Sequence, residues 1–95
     1  MHVISRKALR KFWEKYADSE SPLRRWHTLM STTNFQSFSE LRRAFPAADS
    51  VYDLIVFNIG GNKYRLIASI HFDRHKVYVR HVLTHDEYAR GIWKQ

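Results

Sequence analysis

Apolar and polar residues follow two different periods along this chain. In the first half the period is helical. Leu9, Phe12, Trp13 and Tyr16 recur at i, i+3, i+4 and i+7, and Leu23, Trp26, Leu29 and Met30 form a second such stripe. Each set lies along one side of an amphipathic helix. Ser5 can cap the first helix; Ser21-Pro22 reads as the start of the second, with Ser as cap and Pro at the first helical position. The polar turn Ala17–Ser21 joins them into an αα-hairpin. Ser31–Gln36 is then a loop, and Ser37-Phe38-Ser39-Glu40 matches a capping box. That third helix must stop by Phe45, because Pro46 disfavours helical backbone in the residue before it.

In the second half the period shortens to two. Met1–Ile4 is a short apolar lead that adds an edge strand, and Ala47–Ser50 is a polar connection into the sheet. Val51–Ile59 reads as the first strand of a meander, and its Leu54–Phe57 run implies burial on both faces. The chain turns on Gly60-Gly61-Asn62 and returns as a strand over Lys63–Phe72. Tyr64, Leu66, Ala68, Ile70 and Phe72 share its core face, while Lys63, Arg65, Ile67, Ser69 and His71 face solvent or a cleft. A second turn, Asp73–Lys76, leads to a third strand, Val77–Leu83. There Val77, Val79, His81 and Leu83 alternate with Lys76, Tyr78, Arg80, Val82 and Thr84, so His81 falls on the apolar set. Thr84-His85-Asp86-Glu87 is a second capping box, with His85 opening a terminal helix and Tyr88 one turn on. Ile92 and Trp93 are placed to dock the tail. The pattern predicts one α+β domain over residues 1–95: N-terminal helices on one face of a twisted antiparallel β-sheet, then a short C-terminal helix.

Charge narrows the partners. The net charge is +7 and the sequence pI about 10.1, an excess that calls for an anionic partner such as nucleic acid. The longest apolar run, Leu54–Phe57, is far too short to span a membrane, and no secretory leader is visible. Cysteine is absent, which removes disulfides and thiolate metal sites and fits a cytoplasmic protein.

The candidate chemistry is cationic. Gly60-Gly61 precedes a strand, so it is a hairpin turn and not a phosphate-cradling loop. No nucleophile elbow or Ser/His/Asp arrangement stands out. His71/His75 and His81/His85 are spaced by four but span strands and turns, so no metal is expected; His27 reads as a structural or surface histidine. RNA, however, can be cut by its own 2′-hydroxyl. That reaction needs a base for the hydroxyl, an acid for the departing 5′-oxygen and fixed positive charge at the phosphate. Histidine suits the proton transfers and arginine the charge. Arg65, Arg80, His81, His85 and Tyr88 supply those types. A basic binding sheet without chemistry is the competing reading. The exposed face of the first helix (Arg6, Lys7, Arg10, Lys11, Glu14, Lys15) is either a solvated face or one turned to phosphate.

Three blocks carry a family resemblance: Phe57-Asn58-Ile59-Gly60-Gly61-Asn62, then Tyr64-Arg65-Leu66, then Tyr78-Val79-Arg80-His81-Val82-Leu83-Thr84-His85-Asp86-Glu87-Tyr88. In that order they resemble the HigB toxins of type II toxin–antitoxin systems, within the RelE-like superfamily. The opening Met1–Ser5 and the helix layout also match. The resemblance implies an mRNA interferase acting on messages in the ribosome, without a cofactor. It also implies a HigA-like antitoxin as partner, with mRNA and ribosomal RNA as nucleic-acid partners. Arg65 matches the strand arginine that meets the scissile phosphate in related toxins. His85 and Tyr88 match the region just past the last strand, with Arg80 and His81 near it. Arg65, Arg80, His85 and Tyr88 are therefore the expected catalytic group, with His85 as general base, or as acid if the roles are reversed. Lys63, His71, His81, Arg10 and Lys11 are the expected RNA contacts. The chain departs from better-studied relatives in carrying a tail beyond Tyr88 where they end in a His/Tyr cluster. The alternatives are a gyrase-inhibiting toxin of the same fold and a non-catalytic RNA-binding protein.

Overall fold

The computed structural model of the chain describes residues 1–4 and 6–94; the Ser5 cap lies outside them. The order is β1 (His2–Ile4), α1 (Arg6–Lys15), a 3₁₀ turn (Ala17–Ser19), α2 (Glu20–Thr32), α3 (Phe38–Ala44), β2 (Asp49–Val51), β3 (Leu54–Ile59), β4 (Tyr64–His71), β5 (Lys76–Thr84), α4 (His85–Ala89) and a closing 3₁₀ turn (Ile92–Lys94). One sheet holds all five strands in the order β1-β5-β4-β3-β2. β3 to β5 form the expected antiparallel meander, β2 extends it beside β3, and β1 adds a short parallel edge against Lys76–Tyr78.

The helical stripes pack as their spacing predicts, with two corrections. α2 starts at Glu20, two residues earlier than Ser21-Pro22 suggests: its cap is Ser19, whose hydroxyl donates instead to the Tyr16 carbonyl at 2.6 Å. Pro22 therefore lies inside the first turn, where a missing N–H costs no helical bond. Leu23, Trp26 and Met30 are buried, but Leu29 is 37% exposed. In α3 the Ser37 hydroxyl accepts the Glu40 N–H at 3.2 Å, and the helix gives out at Phe45. Leu9, Leu23, Trp26, Met30 and Leu41 meet Phe57, Leu66, Ala68 and Val77 in the main core. Trp26 and Phe45 meet Phe57 edge-on, with ring centroids 5.5 and 5.1 Å apart.

The first meander strand starts later than expected, at Leu54, and Asp49-Ser50 of the expected Ala47–Ser50 connection join Val51 as a strand of their own. The chain folds back at Tyr52-Asp53, so Asp49–Val51 pairs antiparallel with Leu54–Val56. Tyr52 takes the left-handed conformation that this tight reversal needs, with φ 57°. β3 is covered on both sides as expected: Ile55 and Phe57 enter the main core, and Val56 lies beneath the opposite face.

That opposite face is less polar than its sequence suggested. Val56, Ile67 and Trp93 form a second, smaller core, flanked by Val51, Leu54, Leu83 and Tyr88. Trp93 docks the tail there, while Ile92 stays 52% exposed. Trp93 stacks on Tyr88, centroids 5.4 Å apart and planes 7° from parallel, and its Nε1 donates to the Tyr88 carbonyl at 3.3 Å.

A bulge sets which β5 side chains share this face. Ile67 pairs with His81 but Ala68 pairs with Val79, so Arg80 is an extra residue. Val77, Val79 and Val82 therefore turn to the main core. His81 and Leu83 fall opposite Ile67 and Arg65 on the outer face. Strict alternation had placed His81 among the core positions; the inserted residue shifts the phase by one.

Candidate active site

The outer face brings Arg65, His81 and Tyr88 together near one end of the sheet, and the backbone of His85 is tied beside them. Arg65 projects from the start of β4, just past the Gly60-Gly61 turn. Both glycines sit at positive φ, 62° and 69°, which side-chain-bearing residues rarely adopt. The turn brings Asn62 back over Arg65. The guanidinium donates to the Asn62 carbonyl at 3.3 Å, the Tyr64 carbonyl at 3.1 Å and Asn62 Oδ1 at 3.0 Å. Tyr88 lies against it, with 5.5 Å from the guanidinium carbon to the ring centroid. Arg65 is only 8% exposed. Its fork has five N–H donors, and these three bonds leave two that no described residue engages.

His85 is held beside this group by the backbone. Thr84 forms a complete capping box: its hydroxyl accepts the Glu87 N–H at 3.2 Å, and Glu87 Oε1 accepts the Thr84 N–H at 2.9 Å. The His85 N–H donates to the Lys63 carbonyl at 2.9 Å, which ties the start of α4 to the β3–β4 turn. The imidazole remains exposed, and Tyr88 is its neighbour one helical turn on. His81 is a diagonal neighbour of Arg65 across the β4–β5 pair, about 7–8 Å away backbone to backbone. Arg80 is exposed, with its guanidinium carbon 5.6 Å from the Tyr78 ring centroid.

The other predicted residues lie further off. His71 shares the face but is six residues along β4 from Arg65, about 20 Å at strand rise; it packs edge-on against Tyr78. Lys63 points to Asp18, its Nζ 2.9 Å from Oδ2. Arg10 and Lys11 stand exposed on α1. Among the described residues no three His, Asp or Glu side chains gather as a metal-binding set.

Asp18 is the residue that sequence reasoning missed. It closes the 3₁₀ turn region between α1 and α2 and accepts from both Lys63 Nζ and the Tyr64 hydroxyl. The bond to Tyr64, then that to Lys63, holds the Asp18 carboxyl below its ordinary value, and the same bond pushes the Tyr64 phenol up to about 12. Lys63 and Tyr64 thus act on both sides of the sheet. Their side chains are gripped by Asp18, and their carbonyls hold the His85 amide and the Arg65 guanidinium. A polar turn residue gives no sequence signal for a contact 45 positions away.

The geometry is a buried arginine against a phenol ring, with an exposed histidine whose backbone is tied to the same hairpin turn that braces the arginine. Residues 19–91 match the HigB toxin family, described as the RelE-like toxic component of a toxin–antitoxin system. The chain belongs to that family. It is 36% identical over 91 residues to the mRNA interferase toxin HigB of Escherichia coli K12, covering 93% of this chain and 88% of the relative. The Shigella flexneri mRNA interferase HigB shows the same identity and coverage. The mRNA interferase HigB of Escherichia coli O6:H1 is 32% identical over 93 residues, covering 95% of this chain and 90% of the relative. The HigB match spans the β3–β4 turn, the β5 bulge and the Thr84 capping box, the three elements that assemble the outer-face cluster.

Proposed function

We propose that this HigB-family chain is the toxin of a toxin–antitoxin pair and cuts mRNA in the ribosome without a metal ion, using the Arg65–His85–Tyr88 cluster. The observation that carries the reading is Arg65 itself. A guanidinium that is nearly buried on the sheet, braced by three carbonyl-type acceptors and a ring, is preorganised. Preorganised charge is what a phosphorane-like transition state needs. Its two free donors match two phosphate oxygens in the forked geometry arginine favours.

In this mechanism His85 removes the proton from the 2′-hydroxyl. The 2′-oxygen attacks the adjacent phosphorus, the bond to the 5′-oxygen breaks, and that oxygen takes a proton from an acid. The products are a 2′,3′-cyclic phosphate and a 5′-hydroxyl. His81, across from Ile67 and nearer the middle of the sheet, is an imidazole on the Arg65 face, and in this reading it serves as the acid. Tyr88 orients the Arg65 plane and offers a ring edge to a base. Arg80, Lys63, Arg10 and Lys11 contribute positive charge around the message or ribosomal RNA, and a HigA-like antitoxin is the partner that holds the toxin silent.

Primer extension tests the reading. A defined message is translated with purified protein, with and without EDTA, beside an Arg65→Ala/His85→Gln variant. Cuts in frame with codons that survive EDTA and vanish in the variant are expected. Cuts lost to EDTA would refute metal independence. No cuts, with inhibition in a supercoiling assay, would move the chain to gyrase poisoning.

A further inference from the structure

β1 covers β5 only as far as Tyr78. From Val79 onward no strand among the described residues pairs with that edge of β5, and α1 runs beside it. Ala8, Lys11, Phe12 and Lys15 of α1 and Arg80–Leu83 of β5 line an open groove between them. Its floor is apolar and its rim is Lys11, Lys15, Arg80 and His81. Among the described residues no carboxylate lines it. The ion pairs among the described residues, Arg24–Glu20, Lys63–Asp18 and Arg90–Asp86, leave all three rim cations unpaired. The bulge makes the arrangement possible, since the extra residue sets Arg80 and His81 side by side where β1 has left the edge.

From this geometry we infer that the α1–β5 groove binds the sugar–phosphate backbone of single-stranded RNA away from the step that is cut. Lys11, Lys15 and Arg80 hold phosphates, and Phe12, Val82 and Leu83 take the apolar faces of the nucleotides. Leu83, at one end of the groove, is the direct strand partner of Arg65. Arg80, at the other, is three residues away, about 10 Å along the strand, so one RNA strand can reach both the groove and the Arg65 cluster. The inference takes its ligand class from the mRNA reading above. Binding can nevertheless be measured without cleavage, so the two stand or fall separately.

The experiment is fluorescence anisotropy with a labelled, fully 2′-O-methylated RNA oligonucleotide, which cannot be cut by 2′-oxygen attack, over a series of salt concentrations. The wild-type chain is compared with Lys11→Gln/Lys15→Gln, with Lys11→Gln/Lys15→Gln/Arg80→Gln, and with the charge-matched control Arg42→Gln/Arg43→Gln/Arg74→Gln. Each phosphate contact to a single strand contributes about 0.7 to the slope of log affinity against log salt. The double variant should therefore lose about 1.4 of that slope and the triple variant about 2, with the control keeping the wild-type slope. A triple variant whose slope matches the control overturns the inference, as does a wild-type chain that does not bind the oligonucleotide. Salt-dependent binding that follows this order while ribosomal cleavage is absent would support the groove and refute the interferase reading.

Discussion

Trp93→Ala is the substitution that most sharply joins the fold to the site. The indole is 6% exposed, covers Val56 and Ile67, stacks on Tyr88 and bonds its carbonyl. Buried Trp to Ala changes typically cost about 3–5 kcal/mol, and the lower end applies here because a terminal 3₁₀ turn can relax into part of the void. A cost of about 3 kcal/mol is a large share of the roughly 5–15 kcal/mol that holds a domain together. For 95 residues the unfolding entropy is about 200 cal/mol/K, so the melting midpoint should fall by about 15 °C. The site should respond as well. Without its stacking partner Tyr88 loosens from Arg65, and ribosomal cleavage should drop at a temperature where the variant is still folded. Ile92→Ala, at a neighbouring but exposed position, is the control and should change stability by less than about 0.5 kcal/mol. The assay is a thermal melt followed by circular dichroism, paired with cleavage at 20 °C below the variant's own midpoint. A Trp93→Ala chain that melts within about 3 °C of wild type would refute the second core as a stabilising element. Unchanged cleavage would refute its role in holding Tyr88.

Other consequences can be measured independently. Asp18→Asn weakens the hydrogen bond that raises the Tyr64 phenol and removes the charge behind it; ultraviolet titration should show that phenol moving down from about 12 toward its ordinary 10.0, and cleavage should weaken because Lys63 and Tyr64 carry the Arg65 and His85 tethers. Burial, and secondarily Arg6, lowers the His27 value below 6.5. The unfolded chain therefore takes up this proton first, so the contribution is present above pH 6.5 and is lost as the pH falls below it. His27→Gln should flatten that part of the stability profile in denaturant titrations. Deleting Arg80 removes only the extra residue of the bulge and leaves Val79 opposite Ala68 and His81 opposite Ile67; the chain should fold with a near-native circular dichroism spectrum while losing RNA affinity. A spectrum without native strand signal would contradict the reading of Arg80 as an insertion.

Much of the architecture was legible because it rests on local chemistry. The Thr84–Glu87 capping box, the Gly60-Gly61 turn, the stop before Pro46 and the doubly buried Leu54–Phe57 run each depend on residues close in sequence, and each is found. What escaped depends on pairing across the sheet. The bulge at Arg80 is visible only in the offset between Ile67–His81 and Ala68–Val79. The reversal at Tyr52 uses a left-handed tyrosine where Gly or Asn would have announced a turn. The early start of α2 follows from Ser19 closing the preceding 3₁₀ turn, which left Ser21-Pro22 inside the helix. For the site, the residue types were legible, but not their company. Arg65 and His81 share one face only because the bulge corrects the phase of β5. Asp18 enters through a contact between distant segments.

The most direct test of the central claim uses a ribosome-bound message with a single 2′-deoxy substitution at the mapped cut. If the 2′-oxygen attacks the phosphate held by Arg65, the unmodified message yields a 2′,3′-cyclic phosphate and a 5′-hydroxyl, and the substituted message is not cut at that step. Cleavage of the substituted message at the wild-type rate, or products ending in a 3′-hydroxyl and a 5′-phosphate, would contradict the account.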